Sequence, residues 1–430
     1  MGEQPTSQHT YGIREHFSQF SLHILLVFAT GLTIGSERAV VPIIGRDVFG
    51  VESLLIVGSF VTSFGFVKAF LNLYAGKWGE EYGRKPVLVI GWATALPLPI
   101  ILIFAPTWTW IIAGNILLGI NQALTWSMAI NAKVDLAKPE QRGLAVGIDE
   151  ASGYTGVAVG AWITGIIAGR IRIRPEPFYF MIGVVGVAFL ISLFLVKETI
   201  QYATGDDVDS QYEANLPFIE VFKRATYGDK TLFAVAQAGH IENFVDTLFW
   251  IAVPLYLIKQ GIGITGVGIV VSMHSVMYIF QIGTGRLADR IGRRPPILVG
   301  MILAGAGVFG IILVNKYVLW VVLACLSGFG MALLYPNLMT VPGDACHPDW
   351  RAAGMGVYRM WRDAGYGVGA LVIGLTMEIM SLETAFILTA VLMFLSSTIV
   401  YFWMKETHPE FGTHTPPASA RQRNQSMTTD

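Results

Sequence analysis

The chain has 430 residues, of which 53% are hydrophobic and only 14% are charged, and its mean hydropathy is +0.56. Soluble domains carry roughly 25% charged residues, so this composition excludes a water-soluble globule and indicates a protein whose solvent is the lipid bilayer. The formal net charge of −1 gives no reason to expect a nucleic-acid partner, and two cysteines form no disulfide or metal-binding pattern. We therefore expect no metal and no cofactor.

Residues 1–20 are polar and are predicted to form a cytoplasmic N-terminal segment. The apolar run that follows, 21–45, is longer than the core of about 7–15 residues found in signal peptides, so it predicts a retained membrane helix. A spanning helix needs about 20 mostly apolar residues. Five more runs of this kind complete a predicted N-terminal six-helix bundle over 21–196: 54–76, 86–105, 108–132, 143–169 and 177–196.

The polar stretch 197–229 predicts a cytoplasmic linker. Six further apolar runs predict a C-terminal six-helix bundle over 230–403: 230–258, 262–285, 295–314, 317–342, 352–376 and 383–403. Residues 404–430 are rich in Thr, Pro, Gln and Arg and are expected to form a disordered cytoplasmic tail. The predicted fold class is an all-α membrane protein with twelve transmembrane helices in two six-helix bundles.

The two predicted bundles are related by an internal repeat, because the same residue types recur 209 positions later through several spans and loops. The matched pairs include Gly76 and Gly285, Gly83 and Gly292, Arg84 and Arg293, Asp135 and Asp344, and Arg142 and Arg351. Internal repeats of this kind build many transporters, in which two related bundles surround one substrate site. We therefore expect the two bundles to be pseudo-symmetric.

Basic residues in short loops indicate how a membrane protein is oriented. The loops after the even-numbered spans carry most of them: Arg84, Lys85, Lys138, Arg142, Arg290, Arg293, Arg294 and Arg351. The opposite loops are poorer in basic residues, although Arg170, Arg172 and Arg174 run against the pattern. We expect a multi-pass protein of the plasma or inner membrane, with both termini and the linker in the cytoplasm.

The loop after the eighth span carries the motif Gly285-Arg286-Leu287-Ala288-Asp289-Arg290-Ile291-Gly292-Arg293-Arg294. It resembles the signature of the major facilitator superfamily, which has the form Gly-x-Leu-Ala-Asp-Arg-x-Gly-Arg-Arg. The loop after the second span, 76–85, is a looser copy in which Glu80 replaces the aspartate. The resemblance covers the chain from Ser21 to about Trp403. It implies a secondary transporter that moves a small solute by alternating access, and we expect it to function as a monomer.

The resemblance also implies a cytoplasmic gate built on the two motif loops. A carboxylate held at the positive end of a neighbouring helix would latch this side in one state, a role implied for Asp289 and for Glu80. The alternative is that Arg293 and Arg294 only set the topology. The candidate gate residues are Gly76, Glu80, Gly83, Arg84, Asp135, Arg142, Gly285, Asp289, Gly292, Arg293, Asp344 and Arg351.

Charged residues in the middle of a span cost about 2.5–3.5 kcal/mol each on insertion scales, so each calls for a partner or a function. Glu242 and Asp246 are four positions apart and share one face of the seventh span. Two carboxylates on one face repel when both are ionised, which favours proton uptake, so this pair is a candidate proton-coupling site. The alternative is that one of them pairs with a cation on another helix.

Glu150 and Arg359 occupy equivalent positions of the repeat and have opposite charges. Together with Asp149, Arg362 and Asp363, they predict an ion network that bridges the two halves in one state. The alternative for the eleventh span is local pairing between Arg359 and Asp363, which are four positions apart.

Arg38, about midway along the first span, is a candidate ligand for cargo, because a guanidinium offers a rigid donor fork suited to carboxylate or phosphate. Its neighbour Glu37 is expected to point elsewhere, since adjacent helical positions lie about 100° apart. Arg38 thus favours an anionic or zwitterionic solute. Pairing of Arg38 with Glu37, Asp149 or Glu150 is the alternative. Lys68 is another cation inside a predicted span, the second.

Uncharged side chains complete the predicted cavity around Glu37 and Arg38. They are Asn121, Gln122, Trp126, Tyr278, Gln281 and Asn337. All six are polar or aromatic groups inside predicted spans, where a solute pathway would need them.

Three classes of function compete for this sequence. A proton-coupled secondary transporter accounts for the spans, the repeat and the buried charges. An intramembrane enzyme is not expected, because the sequence lacks a Gly-x-Ser-x-Gly elbow, a His-Glu-x-x-His motif and a phosphate-binding glycine loop. A receptor or scaffold without flux is the third class. Among transporters, the glycine-rich fifth span favours export of a metabolite or drug. Arg38, and Asn115 where many drug exporters of the family carry arginine, favour an organic anion.

Overall fold

A computed structural model describes residues 10–138, 141–203, 217–346, 350–408 and 411–412. These ranges are built of helices, and no strand occurs in them. They contain twelve long helical segments: α1 Phe17–Asp47, α2 Leu54–Tyr82, α3 Arg84–Phe104, α4 Trp108–Leu136, α5 Arg142–Arg170, α6 Glu176–Phe194, α7 Lys230–Lys259, α8 Ile264–Ile291, α9 Arg294–Ile311, α10 Tyr317–Ala345, α11 Arg351–Ile379 and α12 Leu382–Trp403. A short linker helix, Phe218–Lys223, precedes α7.

Ten of these helices are long and apolar enough to cross a bilayer by length and composition, counted over the described residues. The two others, α4 and α11, have 29 residues each. Polar side chains lower their hydropathy: α4 carries Asn115, Asn121 and Gln122, and α11 carries Arg362 and Asp363. Both are packed among other long helices rather than set apart from them. The predicted all-α membrane architecture is thus confirmed, with ten helices that meet the limit for a span.

Local sequence explains where several helices break, begin and end. α1 is interrupted just before Pro42 and α3 just before Pro97, because proline lacks the N–H that a continuous helix needs. Asp229 caps α7 by accepting hydrogen bonds from two N–H groups of its first turn. At the opposite ends, α2 and α8 stop at Gly83 and Gly292, whose φ angles are +96° and +89°. Only glycine adopts this conformation without strain.

Glycines bring helices of the same half into backbone contact. Gly156 and Gly160 of α5 lie against α1: a Cβ added to Gly156 would be 2.1 Å from the carbonyl oxygen of Phe28, and one on Gly160 would be 2.7 Å from that of Leu32. Gly365 of α11, the repeat partner of Gly156, packs against α7 in the same way. The Gly-x-x-x-Gly pair of α5 therefore serves close packing inside the first half.

The two halves are in contact at one end of the bundle. We call the end that carries the Gly83 and Gly292 turns the linker side, and the opposite end the far side. Toward the far side, a Cβ added to Gly65 of α2 would lie 2.3 Å from the backbone nitrogen of Gly367 on α11. The second pair of facing helices, α5 and α8, is also in backbone contact there, because a Cβ on Gly165 would lie 2.9 Å from the Cα of Gly268. The far side is therefore closed by backbone contact.

The linker side is more open. A Cβ added to Gly76 of α2, Gly285 of α8 or Gly356 of α11 would meet no described atom within 4 Å. These glycines lie on the helices that close the far side. Thus α2 and α11 separate toward the linker, whereas α5 and α8 remain close there, since a Cβ added to Gly147 would lie 3.8 Å from the Cα of Ile282.

Candidate substrate cleft

A narrow cleft lies between the two halves, lined by α1, α2, α4 and α5 from the first half and by α7, α10 and α11 from the second. Its lining residues are Ile34, Lys68, Asn72, Trp126, Tyr154, Val157, Trp250, Tyr335, Met339, Arg359, Arg362, Asp363 and Tyr366. In this conformation its volume is ≈ 20 Å³, which is room for about one water molecule. The cleft must widen before it can hold a solute.

Asp363 of α11 joins the two halves across the cleft. Its carboxylate accepts a hydrogen bond from Nη1 of Arg362 at 3.0 Å and another from the amide of Asn72 on α2, and it lies 3.8 Å from Nζ of Lys68. The local alternative, pairing with Arg359, is not observed, because Asp363 turns toward the donors on α2. The ion network therefore bridges the halves through Lys68 and Asn72.

Arg362 is the most fully paired cation of the cleft. Its Nε and Nη2 donate to the two carboxylate oxygens of Glu242 on α7 at 3.3 and 3.2 Å, and Nη2 also lies 3.2 Å from the hydroxyl of Tyr154. The guanidinium sits 4.0 Å from the ring centroid of Tyr335. Glu242 thus pairs with a cation on another helix. The sequence analysis gave this pairing as the alternative to a proton-coupling site formed by Glu242 and Asp246.

Asp246 lies one turn beyond Glu242 on α7 and is surrounded by two tyrosines and a histidine. The hydroxyls of Tyr278 and Tyr366 donate to its carboxylate at 2.9 and 3.2 Å, and Nε2 of His274 lies 3.1 Å away. No lysine or arginine in the described chain lies within ion-pairing distance of Asp246. It can therefore gain or lose a proton without breaking an ion pair with a permanent cation.

Arg359 lines the linker-side mouth of the cleft. Within the described residues, no carboxylate lies within 4.0 Å of this guanidinium. Its repeat equivalent Glu150 accepts a hydrogen bond from Nε1 of Trp126 at 3.1 Å instead. Glu150 and Arg359, which the sequence analysis placed in one ion network, are therefore not paired with each other in this conformation.

Asp149 belongs to a separate ion pair inside the first half. Its carboxylate contacts Nζ of Lys133 on α4, and both side chains are fully buried. The prediction placed Asp149 in the network between the halves, whereas this contact ties α4 to α5. Sequence reasoning missed Lys133 because the predicted fourth span ended at residue 132, whereas α4 continues to Leu136.

Arg38 is fully buried and does not line the cleft. Its guanidinium lies 4.7 and 4.6 Å from the ring centroids of Phe64 and Trp250, and Nη1 is 3.4 Å from Oδ1 of Asn115. Nη1 is also 3.8 Å from Oε2 of Glu37. The expectation that Glu37 would point away is corrected here, because the long arginine side chain reaches back to the neighbouring carboxylate. Cargo cannot reach either residue in this conformation.

Asn121 and Gln122, predicted to line the cavity, hold helices together instead. The amide of Asn121 donates to the carbonyl oxygen of Gly91 on α3 at 2.9 Å. The amide of Gln122 donates to the carbonyl oxygen of Thr30 on α1 at 2.8 Å. Satisfying a backbone carbonyl of the next helix is a structural use of a polar side chain in a membrane protein.

Of the other predicted uncharged residues, only Trp126 lines the cleft. Asn337 donates to a carbonyl of its own helix, and Tyr278 donates to Asp246. Gln281 is buried, with neither amide atom hydrogen-bonded within the described chain. These positions differ from the prediction because a sequence does not tell which face of a helix meets the cleft and which meets a neighbour.

Asn72 and Tyr154 are among the cleft residues that the sequence analysis did not select. Asn72 lies four positions after Lys68, so the two share one face of α2. This spacing could have identified Asn72 from the sequence, because a lysine inside a span indicates which helix face turns away from lipid. Tyr154 stacks on Tyr278 at a centroid distance of 3.9 Å, and nothing in the sequence distinguished it from other buried tyrosines.

On the linker side, both motif arginines pair with a carboxylate of their own half. Arg84 Nε donates to Asp135 at 3.0 Å, and Arg293 Nε lies 3.5 Å from Asp344 at the equivalent position. Arg293 also donates to Asp289 at 2.8 Å. These contacts tie the start of α3 to the end of α4 in the first half, and the start of α9 to the ends of α8 and α10 in the second.

The predicted latch is not engaged in this conformation. The side chain of Asp289 is 60% exposed and contacts Arg293 one turn away on the chain, and Glu80 is exposed. Arg142 and Arg351 begin α5 and α11 at equivalent positions. A disengaged latch is consistent with the open linker side, because the latch is expected to hold that side closed.

Two glutamates that the sequence analysis overlooked complete the linker side. Glu198 accepts hydrogen bonds from the backbone N–H groups of Arg84 and Lys85 at 2.9 and 3.1 Å. Glu406 does the same at the start of α9, where the N–H groups of Arg293 and Arg294 donate at 2.9 and 3.0 Å. The tripeptide Lys-Glu-Thr at 197–199 and 405–407 was the available sequence feature, but both copies lie just outside the predicted bundles.

Glu406 lies beyond the end of α12, and burial disfavours its charged form. Hydrogen bonds from four backbone N–H groups outweigh that effect and hold the pKa of this carboxyl below its ordinary value of 4.5. Glu406 is therefore an anion anchored at the start of a helix.

Comparison with known proteins identifies a family, two relatives and a similar fold. A family model described as the Major Facilitator Superfamily matches residues 25–235 and 238–426. The chain is 24% identical to the class E tetracycline resistance protein of Escherichia coli, over 72% of this chain and 76% of that protein. It is 25% identical to multidrug resistance protein 2 of Bacillus subtilis, over 50% of this chain and 52% of that one. The crystal structure of the human organic anion transporter MFSD10 (TETRAN) matches with a TM-score of 0.67 at 13% identity, covering 89% of this chain and 99% of that one.

Proposed function

The chain belongs to the major facilitator superfamily, and from this premise we propose that it is a proton-coupled secondary transporter of a small organic solute. Members of this family are membrane transporters, so the chain is an integral membrane protein that acts on small molecules and is not an enzyme. The observation that carries the proposal is the cleft, where Lys68 of the first half meets Asp363 of the second.

The packing between the halves supports transport by alternating access. The far side is closed by glycine contacts such as that of Gly65 with Gly367, and the linker side is open around Gly285. Rocking of the two halves about the cleft would open the far side and close the linker side. In that second state, Asp289 would reach a neighbouring helix end and latch the linker side. The present conformation corresponds to one end of the cycle.

Proton coupling is assigned to Asp246. Its partners are the hydroxyls of Tyr278 and Tyr366 and the imidazole of His274. Protonation of Asp246 therefore leaves no lysine or arginine without its counter-charge. Glu242 is less suited to this role, because its protonation would weaken the pair with Arg362. One of these partners, Tyr278, stacks on Tyr154 of the first half, so rocking of the halves would change the surroundings of Asp246.

The proposed topology places the linker side in the cytoplasm. With α4 and α11 counted as spans, twelve helices form bundles over 21–196 and 230–403, with an N-terminal segment 1–20, a linker 197–229 and a tail 404–430. We infer location in the plasma or inner membrane and function as a monomer. Much of the proposed tail and part of the linker lie outside the described residues.

Two substrate classes have support. The names of the tetracycline and multidrug resistance relatives favour export of a drug or metabolite. The human protein of similar fold is called an organic anion transporter, which favours an organic anion. The cleft wall has three cations, Lys68, Arg359 and Arg362, and the carboxylates of Asp363 and Glu242 compensate two of these charges. This charge balance favours an anion.

Flux through proteoliposomes tests the proposal. A thermal-shift screen of the purified protein against anions, cations and amphiphiles would first identify ligands, and the best ligands would then be followed across the membrane with and without an imposed pH gradient. We expect protein-dependent flux that a protonophore slows. Ligands that stabilise the protein but never cross would support the alternative, a receptor or scaffold without flux.

A further inference from the structure

The cations of the cleft differ in how completely they are paired. Arg362 donates to both carboxylate oxygens of Glu242, and Lys68 has a single carboxylate, Asp363, at 3.8 Å. Arg359 has no carboxylate within 4.0 Å among the described residues. A ligand anion would therefore bind between Arg359 and Lys68, the two cations whose charge is least compensated.

The same two cations come from opposite halves of the protein. Lys68 lies on α2 and Arg359 on α11, at the edge of the cleft that faces the linker side. An anion held by both would bridge the halves when the cleft closes around it. This position links binding to the conformational cycle, because the cleft must widen to admit the anion and the bound anion then joins a cation of each half.

The remaining wall of the cleft is aromatic. Trp126, Tyr154, Trp250, Tyr335 and Tyr366 all contribute to it. Indole and phenol rings offer flat, apolar faces for stacking, and ligand sites commonly combine such walls with a few polar anchors. A flat aromatic body beside a single anionic group matches both parts of the cleft.

We propose that the cargo is an aromatic monocarboxylate, that Arg359 and Lys68 hold its carboxylate, and that Asp363 is an internal anion that competes with the cargo for Lys68. This inference rests on the proposed transport function and names its substrate class. With the site empty, Asp363 neutralises Lys68 and is held by Asn72 and Arg362. When cargo binds, its carboxylate takes over Lys68, while Asp363 keeps Asn72 and Arg362.

This arrangement predicts opposite effects for two neighbouring charges. Arg359→Gln removes an anchor and should weaken binding of the anion. Asp363→Asn removes the competitor, keeps a group that can bond to Asn72, and should strengthen binding of the anion. A general electrostatic disturbance of the cleft would not separate the two variants in this way.

Binding of 2-naphthoate and of its neutral isostere 2-naphthamide to the purified full chain, measured by calorimetry, tests the inference. We expect naphthoate to bind at least about tenfold more tightly than the amide, as the loss of a charged hydrogen-bond partner implies. Arg359→Gln should weaken naphthoate about tenfold and leave the amide unchanged, and Arg359→Lys should recover part of the loss. Asp363→Asn should bind naphthoate more tightly than the unmodified protein does.

A matched control is Glu383→Gln, which removes an exposed carboxylate paired with Lys259 outside the cleft and should leave both affinities unchanged. Equal affinity for naphthoate and naphthamide, or weaker naphthoate binding in Asp363→Asn, would overturn the inference. Should Asp363→Asn not fold, the contrast between Arg359→Gln and Arg359→Lys decides the question alone. If naphthoate binds selectively but no solute crosses the membrane, the proposed transport is contradicted and the anion site stands. If solute crosses the membrane but naphthoate and naphthamide bind equally, transport stands and the anion site is contradicted.

Discussion

The carboxylate of Glu198 lies directly against Gly83, so that a Cβ added to this glycine would be 2.4 Å from Oε2. Gly83 has a φ angle of +96°, and this turn points the backbone N–H groups of Arg84 and Lys85 at Glu198. A glycine turn and an anion at the start of the next helix thus form one structural unit. The positive end of the helix dipole adds to its stability.

Replacing Gly83 with alanine should destabilise the protein. With φ at +96° and ψ at 158°, the turn occupies a region that costs other residues roughly 1–3 kcal/mol, and the new Cβ would displace Glu198. We expect a lower midpoint in thermal unfolding in detergent, and Gly292→Ala should behave alike because its Cβ would lie 2.5 Å from Glu406. Gly183→Ala, where no described atom lies within 4 Å, is the matched control. Equal midpoints for Gly83→Ala and Gly183→Ala would contradict this account.

Glu406 should stabilise the protein only while it is ionised. Its folded-state pKa lies below the ordinary value of 4.5, so its contribution is complete above 4.5 and is lost as the pH falls through the lower, folded-state pKa. Thermal unfolding of the unmodified protein and of Glu406→Gln should therefore differ at neutral pH and converge under acid conditions below 4.5. A difference that persists undiminished at low pH would mean that Glu406 acts through shape rather than charge.

The sequence predicted helix positions well and helix ends less well, for a physical reason. Hydropathy marks the part of a helix inside the bilayer, whereas hydrogen bonding continues past it. The second span was predicted over 54–76, but α2 runs to Tyr82, through the polar motif. The fourth was predicted to end at residue 132, and α4 runs to Leu136. The repeat was more accurate than hydropathy here, because it relates the Gly83 turn to the Gly292 turn directly.

Charge predicted the cleft residues only in part, because the charged Arg38 and Asp149 do not line the cleft and the uncharged Trp126 does. The cleft contains Arg359, Arg362 and Asp363, all of which the sequence analysis selected because a charge in a span needs a partner. It contains neither Asn121 nor Gln122, which bond to backbone carbonyls of adjacent helices. A polar amide can be satisfied by any neighbouring helix, so its presence in a span does not say which surface it faces. Only packing decides that.

The buried pair of Lys133 and Asp149 should show strong coupling in a double-mutant cycle. Lys133→Met alone leaves Asp149 buried without its cation, which typically costs 3–5 kcal/mol. Combining it with Asp149→Leu removes both charges and should recover most of that loss. Thermal unfolding of the two single variants and the double variant provides the measurement. If the losses simply add, the two side chains do not form the pair described here.

Asp246→Asn should abolish the dependence of transport on the pH gradient while solute exchange continues. The asparagine keeps the size of the side chain and an acceptor for Tyr278, but it cannot release a proton. Glu242→Gln is the informative comparison, because it leaves Arg362 without its bidentate partner and should impair exchange as well. Flux and exchange in proteoliposomes separate the two outcomes. Gradient-driven accumulation that survives in Asp246→Asn would assign coupling to another group.

Gly65→Ala should open the far side. The added Cβ would lie 2.3 Å from the backbone nitrogen of Gly367 and 2.7 Å from the Cβ of Tyr366, so neither neighbour can yield by a change of rotamer and α2 must move away from α11. We expect the population to shift toward the state with a closed linker side and an open far side. Gly183→Ala on α6 again serves as control, because it adds the same atom where nothing described lies within 4 Å.

Spin labels at Glu52→Cys and Gln260→Cys, with Cys325 and Cys346 replaced by serine, would report the far-side distance between the halves. Both labelled positions are exposed, one before α2 and one after α7. The distance distribution should shift to longer values in Gly65→Ala and stay unchanged in Gly183→Ala. Because the far side closes by backbone contact rather than by flexible side chains, a single methyl group suffices to disfavour it. An unchanged distribution in Gly65→Ala would show that α2 and α11 do not form the far-side closure.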